Sequence, residues 1–248
     1  MQQANAALQL SGPTNVRDLG GYPTLDGKRI RFHQFLRGDN PSVLTASDRE
    51  ILYSYGVRAQ IDLRSDVECN RQPSPLQGFQ DVSYLNIPLM DSLNANISRE
   101  DFRNLKMPST MLPTYLDLLD KAQESFAAIF RQILRFPKEC VLFNCTAGKD
   151  RTGMVAMLLL KLAHCADEVI VADYAASYAN IRQAVEKMLA MYKAQGLQLE
   201  AALFRSDPEL MEETLAHLDK AYGSVEAWME KAGLSTTEVA ALQHKLAG

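Results

Sequence analysis

Short apolar segments alternate with amphipathic ones through the first half of the chain. Strand-like segments rich in branched and aromatic side chains occur at 29–38, 57–64, 82–89 and 140–144. A capping box, Ser47 with Glu50 three residues on, predicts a helix between the first two, and Gly56 ends it. Apolar positions recur at helical spacing between residues 112 and 136. This alternation of strands and helices predicts an α/β domain.

The pattern changes after Thr152, where a helix is predicted to begin and the stretch TGMVAMLLLKLAH is apolar on every side. Such a helix is typical of the centre of a domain. Beyond Asp167 the spacing of apolar residues predicts only helices. We therefore predict a single domain over 1–248, with an α/β core at about 12–165 and a helical part at about 166–248.

The composition is that of an ordinary globular protein, with 47% hydrophobic and 23% charged residues in a chain of 248. The formal net charge of −4 argues against a nucleic-acid partner and gives no reason for attraction to an anionic membrane. No apolar run approaches the roughly 18 residues that span a bilayer, so no integral membrane segment is expected. The first residues, MQQANAALQL, do not have the pattern of a signal peptide. The four cysteines and four histidines show no metal-ligand spacing, so no metal is expected.

The stretch NCTAGKDRTG, residues 144–153, places reactive side chains between a predicted buried strand and the buried helix. Backbone amides at such a turn are unpaired and can converge on an anion such as phosphate. Cys145 is a candidate nucleophile, because helix N-termini and nearby cations favour the thiolate. Arg151 offers a planar fork for two phosphate oxygens, Thr152 offers a hydroxyl for the thiolate or for the helix cap, and Lys149 offers a second cation. The predicted phosphate-binding residues are Thr146, Ala147, Gly148, Lys149 and Arg151.

The string CTAGKDRTG resembles the signature loop of cysteine-based phosphatases, in particular the atypical bacterial tyrosine and lipid phosphatases. NVRDLGGYPTLDGKRIR near the N-terminus is similar to that family's opening motif, and FLRGDN, IDLRSDVE and AYGSVEAWMEKAGL are similar to further parts of it. These matches cover most of the chain and are weakest between residues 91 and 109. The resemblance implies a tyrosine-phosphatase-like fold, with a parallel or mixed sheet flanked by helices and a helical C-terminal part that covers the active site.

The same resemblance implies a reaction. Cys145 would attack phosphorus and form a thiophosphate intermediate, which water then hydrolyses, while Arg151 holds the phosphoryl group. No cofactor is implied, because the loop and Arg151 supply the charge stabilisation that a metal supplies elsewhere. The family usually carries His immediately before the nucleophile, where this chain has Asn144. An amide can also donate a hydrogen bond, so we expect activity to survive.

Two aspartates are candidates for the general acid that protonates the leaving oxygen. The resemblance assigns this role to Asp150, inside the loop. Asp91 follows a predicted strand, much as the acid does in dual-specificity phosphatases, and its other interpretation is a turn or capping aspartate.

Asp62 and Arg64 end a buried strand and are expected at the same edge of the sheet as the loop. There they either orient the substrate or hold the loop, by pairing with each other or with Arg17 and Asp18. Both interpretations stay open from the sequence.

The preferred hypothesis is a phosphomonoester phosphatase that acts on phosphotyrosine in proteins, with phosphoserine or phosphothreonine as further targets, or on phosphoinositides. Phosphatases of inositol phosphates and lipids often carry a lysine in this loop, so the resemblance implies that Lys149 favours polyanionic head groups. One alternative is a phosphate-binding module that has lost turnover, suggested by Asn144. Another is a rhodanese-type sulfur transferase, which also uses a cysteine loop. A thiolate needs reducing surroundings, which suits a cytoplasm, either the producer's own or that of a host reached by a secreted effector.

Overall fold

The computed structural model describes residues 7–90, 110–196 and 201–247. Its sheet has five strands in the order β1-β2-β5-β3-β4, with β1 antiparallel to β2 and the other neighbours parallel. The strands are β1 Arg17–Asp18, β2 Phe35–Gly38, β3 Val57–Asp62, β4 Ser83–Asn86 and β5 Cys140–Asn144. Because β5 is central and buried along its whole length, the chain after it leaves from the middle of the sheet.

Helices flank this sheet and form the C-terminal part of the described chain, so the predicted α/β class, with a mixed sheet flanked by helices, is confirmed. The α-helices are α1 Ala46–Tyr55, α2 Asp66–Arg71, α3 Leu112–Lys121, α4 Gln123–Leu134, α5 Asp150–Leu162, α6 Asp167–Ala194, α7 Pro208–Tyr222, α8 Val225–Lys231 and α9 Thr236–Leu246. Short 3-10 helices lie at Pro41–Val43 and Ala201–Phe204. None of the helices within the described ranges is long and apolar enough to cross a membrane.

Helix α5 runs through the centre of the core, as its apolar sequence predicts. Its side chains from Met154 to Leu160 are at most 1% exposed. The same hydrophobic cluster includes Phe143 of β5 and the fully buried Trp228 of α8. The indole N–H of Trp228 donates to the carbonyl oxygen of Leu119 at 3.0 Å, which satisfies its one polar atom. The late helices therefore pack into the same core as the sheet.

The start of α1 differs from the prediction. Its capping box consists of Thr45 and Asp48, not Ser47 and Glu50. The Asp48 carboxylate also accepts the main-chain N–H of Gly12 at 3.1 Å. This tertiary contact favours Thr45 and Asp48 as the capping pair over Ser47 and Glu50. It cannot be read from the local sequence.

The first predicted strand is shorter than expected. Only the last four residues of 29–38 form a strand, Phe35–Gly38. His33 adopts a φ of 63° and turns the chain just before it. The main-chain N–H of His33 donates to the Asp18 carboxylate at 2.7 Å, which fixes this turn against β1. The apolar residues before the turn therefore pack on the core without continuing the ladder.

Candidate active site

The loop after β5 lies between the carboxyl ends of two parallel strands. Gly38 of β2 and Asp62 of β3 each pair in register with Asn144, the last residue of β5. Cys145 comes next; its main-chain N–H is directed at the carbonyl oxygen of Gly38 at 3.4 Å, and its side chain is buried. The strand order therefore places this cysteine at the edge where α/β sheets bind their ligands.

Helix α5 begins earlier than predicted, at Asp150 instead of Thr152. Asp150 and Arg151 therefore belong to its first turn, where main-chain N–H groups are unpaired and the helix carries partial positive charge. Thr152 is fully buried inside that turn. Its hydroxyl is directed at the carbonyl oxygen of Gly38 at 3.4 Å, and not at Cys145 or at the helix start as expected.

The backbone of the loop is fixed from behind by side chains of the N-terminal segment. The Asn15 amide donates to the carbonyl oxygens of Ala147 at 3.0 Å and Gly148 at 3.2 Å, and Arg37 donates to that of Gly148 at 2.7 Å. In a trans peptide the N–H points opposite to the C=O. The amides of Gly148 and Lys149 are therefore turned away from these donors and towards the inside of the loop, as an anion nest requires.

Gly148 is required by the close packing of the loop against β2. Its φ is +63°, and a Cβ at this position would lie 2.7 Å from the carbonyl oxygen of Gly38. The missing side chain therefore allows the loop to pack closely against the end of β2.

A buried charge cluster lies beneath the loop. Asp173 of α6 pairs with Arg17, at 3.0 Å from Nε, and with Arg37, and all these side chains are at most 2% exposed. Burial alone would raise the pKa of Asp173, but the two guanidinium groups outweigh it and lower the pKa. Two cations share one carboxylate, so the cluster leaves positive charge behind the loop, where it favours a bound anion.

Arg151 is held by Glu68 of α2. The guanidinium donates through its two terminal nitrogens to the Glu68 carboxylate at 2.7 and 3.0 Å, and the Thr146 hydroxyl donates to the same carboxylate at 2.5 Å. Burial opposes ionisation of Glu68, but its bonds to Arg151 and Thr146 lower the pKa to about 2. The pairing uses the end of the guanidinium, and its two terminal nitrogens also contact the Leu63 carbonyl oxygen and the Thr146 hydroxyl, each at 3.4 Å. Nε has no hydrogen-bond partner among the described residues and remains available for a phosphoryl oxygen.

Asp150 lies on the other side of the loop. Its Oδ1 accepts a hydrogen bond from the Tyr115 hydroxyl at 2.5 Å and lies 3.1 Å from the Lys149 ammonium.

Lys149 was expected to be a cation that faces the substrate, and the structure places it differently. It is only 2% exposed, and its ammonium donates to the carbonyl oxygens of Leu203 and Arg205, each at 2.8 Å. In this structure it joins the loop to the 3-10 helix before α7.

Asp62 and Arg64 pair with each other, one of the two arrangements left open by the sequence. Arg64 donates to both carboxylate oxygens of Asp62, at 2.9 Å from Nε and 2.7 Å from a terminal nitrogen, and both side chains are at most 1% exposed. Neither pairs with Arg17, which binds Asp173, or with Asp18, which accepts the main-chain N–H of Gly20. Their burial supports the structural interpretation over substrate orientation.

Asn144 is part of a buried hydrogen-bond chain. The side-chain amide nitrogen of Asn144 donates to the Asp62 carboxylate at 3.2 Å, and its side-chain oxygen accepts from the Gln60 amide at 2.7 Å. The Ser74 hydroxyl donates to Gln60 in turn at 2.7 Å. Both polar atoms of the Asn144 side chain therefore have a partner, and the residue before the cysteine is held in place.

A cavity of about 310 Å³ opens beside Arg151 and Asp150. Its walls include apolar side chains of Val67, Met90 and Met111 and the exposed cation of Arg71. No described residue beyond Arg151 lines it, so covering of the site by the helical part stays a prediction. Asp91, the other candidate acid, lies outside the described residues.

A family model described as the tyrosine phosphatase family matches residues 8–248. The chain belongs to this family. It is a phosphoric monoester hydrolase of the protein-tyrosine-phosphatase type. The resemblance of the loop motif to bacterial tyrosine phosphatases is thereby confirmed.

Similar proteins come from several bacteria. A Cupriavidus necator protein named as a tyrosine-protein phosphatase is 31% identical over 244 residues, 95% of this chain and 86% of that protein. The triple specificity protein phosphatase PtpB of Mycobacterium tuberculosis is 32% identical over 285 aligned positions, covering 98% of this chain and all of that protein. A tyrosine-protein phosphatase of Nostoc commune is 34% identical over 155 residues, 62% of this chain and 52% of that protein. The solved structure of TpbA from P. aeruginosa aligns with 81% of this chain and 87% of its own at 15% identity, with a TM-score of 0.39, too distant to support an argument about the site.

Several residues around the loop were not identified from the sequence. Glu68 stands at the end of IDLRSDVE, where its capping-box spacing from Ser65 is a sufficient local explanation and conceals its contact with Arg151. Asn15 opens the motif NVRDLGG, and that position was the available signal. For Tyr115 and Asp173 the sequence holds no local signal, since their partners lie 35 or more residues away.

Proposed function

We propose that this phosphatase uses Cys145 as its nucleophile, forms a thiophosphate on it, and needs no metal ion. The observation that carries the proposal is the arrangement around Arg151. Glu68 holds its guanidinium at the start of α5, five residues after the buried cysteine, while loop carbonyls are turned outward by Asn15. Such a site binds a phosphoryl group by charge and by directed amides, and places it over a thiolate.

The proposed reaction has two steps, and Asp150 moves one proton in each. In the first, the Cys145 thiolate forms a bond to phosphorus, the bond to the leaving oxygen breaks, and Asp150 gives that oxygen its proton. In the second, the Asp150 carboxylate takes a proton from water, the water oxygen attacks phosphorus, and the bond to sulfur breaks. The thiolate and the protonated acid are regenerated, and phosphate leaves.

The cavity supports a phosphotyrosine substrate. Its apolar wall suits an aromatic ring, whereas the cationic group at its rim, Arg71, suits an acidic residue next to the phosphorylated one. The Arg71 side chain forms no hydrogen bond or ion pair with any other residue that the structure describes. An inositol-lipid substrate has less support, because the Lys149 ammonium, which would bind its polyanionic head group, already donates to two carbonyl groups. Lipids and phosphoserine stay in the test as further substrates.

The test is phosphate release in the presence of EDTA from a phosphotyrosine peptide, a phosphoserine peptide and vesicles containing a phosphoinositide. Cys145→Ser should abolish release from each of them. Cys69→Ser is the matched control, because Cys69 is a half-buried cysteine of α2, outside the loop. Retained activity in Cys145→Ser would refute the proposed nucleophile. A parent protein that binds phosphate but releases none would favour the phosphate-binding module.

A further inference from the structure

Two tyrosines outside the loop form a hydrogen-bonded chain that ends on Asp150. The Tyr115 hydroxyl of α3 lies 2.5 Å from Asp150 Oδ1 and 2.7 Å from the Tyr174 hydroxyl of α6. Both rings are at most 1% exposed. Three helices thus meet at a single carboxyl group.

The direction of the chain follows from which groups can donate. Burial and the nearby charge of Asp150 raise the pKa of Tyr115 well above its ordinary value, so its hydroxyl keeps a proton. That proton is directed at the carboxylate, and the Tyr115 oxygen must then accept from Tyr174. Each hydroxyl has one proton, so the order Tyr174 to Tyr115 to Asp150 is the arrangement that satisfies all three groups.

The hydrogen-bonded chain of the two tyrosines contacts only one of the two carboxylate oxygens of Asp150. Oδ1 accepts from Tyr115 and lies 3.1 Å from the Lys149 ammonium, so it has no room for a further proton. Oδ2 has no hydrogen-bond partner among the described residues, although Asp150 lines the cavity beside Arg151. A proton carried by this carboxyl group is therefore carried on Oδ2.

The tyrosines are themselves held rigidly. Their rings pack edge to face with centroids 6.0 Å apart and planes at 88°. Tyr174 also packs against α5, where a Cβ at Gly153 would lie 3.3 Å from its ring. The hydroxyl chain is therefore fixed relative to the helix that carries Asp150, and it can set the orientation of the carboxyl group.

We propose that Tyr115, supported by Tyr174, is a positioning residue that fixes the Asp150 carboxyl so that Oδ2 exchanges its proton with the leaving group and with water. This inference rests on the acid role given to Asp150 above. In the first step the Oδ2 proton passes to the leaving oxygen as its bond to phosphorus breaks, and in the second Oδ2 takes a proton from the attacking water. The tyrosines gain and lose no proton over the cycle.

The test compares kcat/KM for dinitrophenyl phosphate and phenyl phosphate. The dinitrophenolate leaves without protonation, whereas the phenolate needs an acid. Tyr115→Phe should lower kcat/KM for phenyl phosphate roughly 10-fold, the effect of losing one hydrogen bond to a charged group, and leave that for dinitrophenyl phosphate nearly unchanged. Asp150→Asn should show the same substrate dependence with a larger loss, roughly 100-fold or more.

Tyr222→Phe is the matched control, since Tyr222 also donates to a carboxylate, that of Asp120 at 2.7 Å, but not in this loop. It should change neither substrate's rate. If Tyr115→Phe does not fold, Tyr174→Phe keeps the direct bond to Asp150 and should give the same substrate dependence with a smaller loss.

The outcomes separate the acid role of Asp150 from the positioning role of Tyr115. If a folded Tyr115→Phe protein loses kcat/KM equally on both substrates, or on neither, and the loss in Asp150→Asn still depends on the leaving group, only the positioning role is overturned. If Asp150→Asn shows no such dependence, the acid assignment itself fails and the role of Tyr115 fails with it.

Discussion

Replacing Glu68 by glutamine should loosen Arg151 without removing it. The carboxylate of Glu68 accepts from both terminal nitrogens of Arg151, at 2.7 and 3.0 Å, and from the Thr146 hydroxyl. Glutamine keeps one oxygen acceptor but loses the negative charge. Its amide nitrogen is only a donor, so it cannot accept a hydrogen bond from the Arg151 guanidinium. Arg151 should then sample orientations in which its Nε side no longer faces the phosphoryl group.

The size of the effect follows from the exposure of the pair. Hydrogen bonds between charged groups contribute about 1.5–3 kcal/mol. The Glu68 side chain is 35% exposed and that of Arg151 15%, so solvent screening reduces this value. We expect a loss of about 1–2 kcal/mol in transition-state binding, or roughly 5- to 30-fold in kcat/KM.

The assay measures kcat/KM on an aryl phosphate together with the inhibition constant of vanadate, a phosphate-like oxyanion. In Glu68→Gln, kcat/KM should fall and the inhibition constant of vanadate should rise, because the aryl phosphate and vanadate both bind the Arg151 guanidinium. Glu238→Gln is a closely matched control. Glu238 also closes a capping box, with Ser235, and also binds an arginine, Arg131 at 2.9 Å, but in α9. It should lose a similar amount of thermal stability and no activity. A Glu68→Gln protein with parent values for both constants would refute the role of Glu68.

Three further predictions concern the same loop. Gly148→Ala should destabilise the protein by more than about 1 kcal/mol and reduce activity, because of its φ of +63° and the 2.7 Å approach of a Cβ to Gly38; unchanged denaturant unfolding and turnover would contradict this. Asn15→Ala should weaken vanadate binding, measured by calorimetry, roughly 10-fold, because the carbonyls of Ala147 and Gly148 lose a donor; parent affinity would show that other contacts suffice. The pKa of Glu68 is held at about 2, below its ordinary 4.5, so its contribution to stability is complete above pH 4.5 and is lost as the pH falls towards 2. The unfolding free energy of Glu68→Gln should therefore decline less steeply than that of the parent across this window, and equal slopes would contradict the assignment.

The central strand and its loop could be predicted from the sequence because their signals are local. β5 occupies 140–144 as predicted, since a short apolar run bounded by turn residues has few alternatives. Cys145 and Arg151 were proposed as site residues from the full string CTAGKDRTG at a predicted strand-to-helix junction, since their spacing alone is a weak signal. By contrast, the start of α5 was misplaced by two residues, because Lys149 and Asp150 have no recognisable capping pattern.

The contacts that complete the site are tertiary, and single-sequence reasoning did not find them. Lys149 was expected to meet an anionic group of the substrate, because the resemblance links a lysine in this loop to polyanionic head groups. It is buried instead because two carbonyl groups, from Leu203 and Arg205, are close enough to accept from it. Asp150 likewise has its partner Tyr115 35 residues away, on a helix whose position depends on the whole core.

The most direct measurement is to locate the phosphoryl group during turnover. The protein is mixed with a phosphotyrosine peptide, denatured within the first turnover, digested and mapped by mass spectrometry. We expect a phosphoryl group on the peptide that contains Cys145; it should be absent from the Cys145→Ser protein and unchanged in Cys69→Ser. A phosphoryl group on any other residue, or full turnover without a covalent species in any quench, would contradict it.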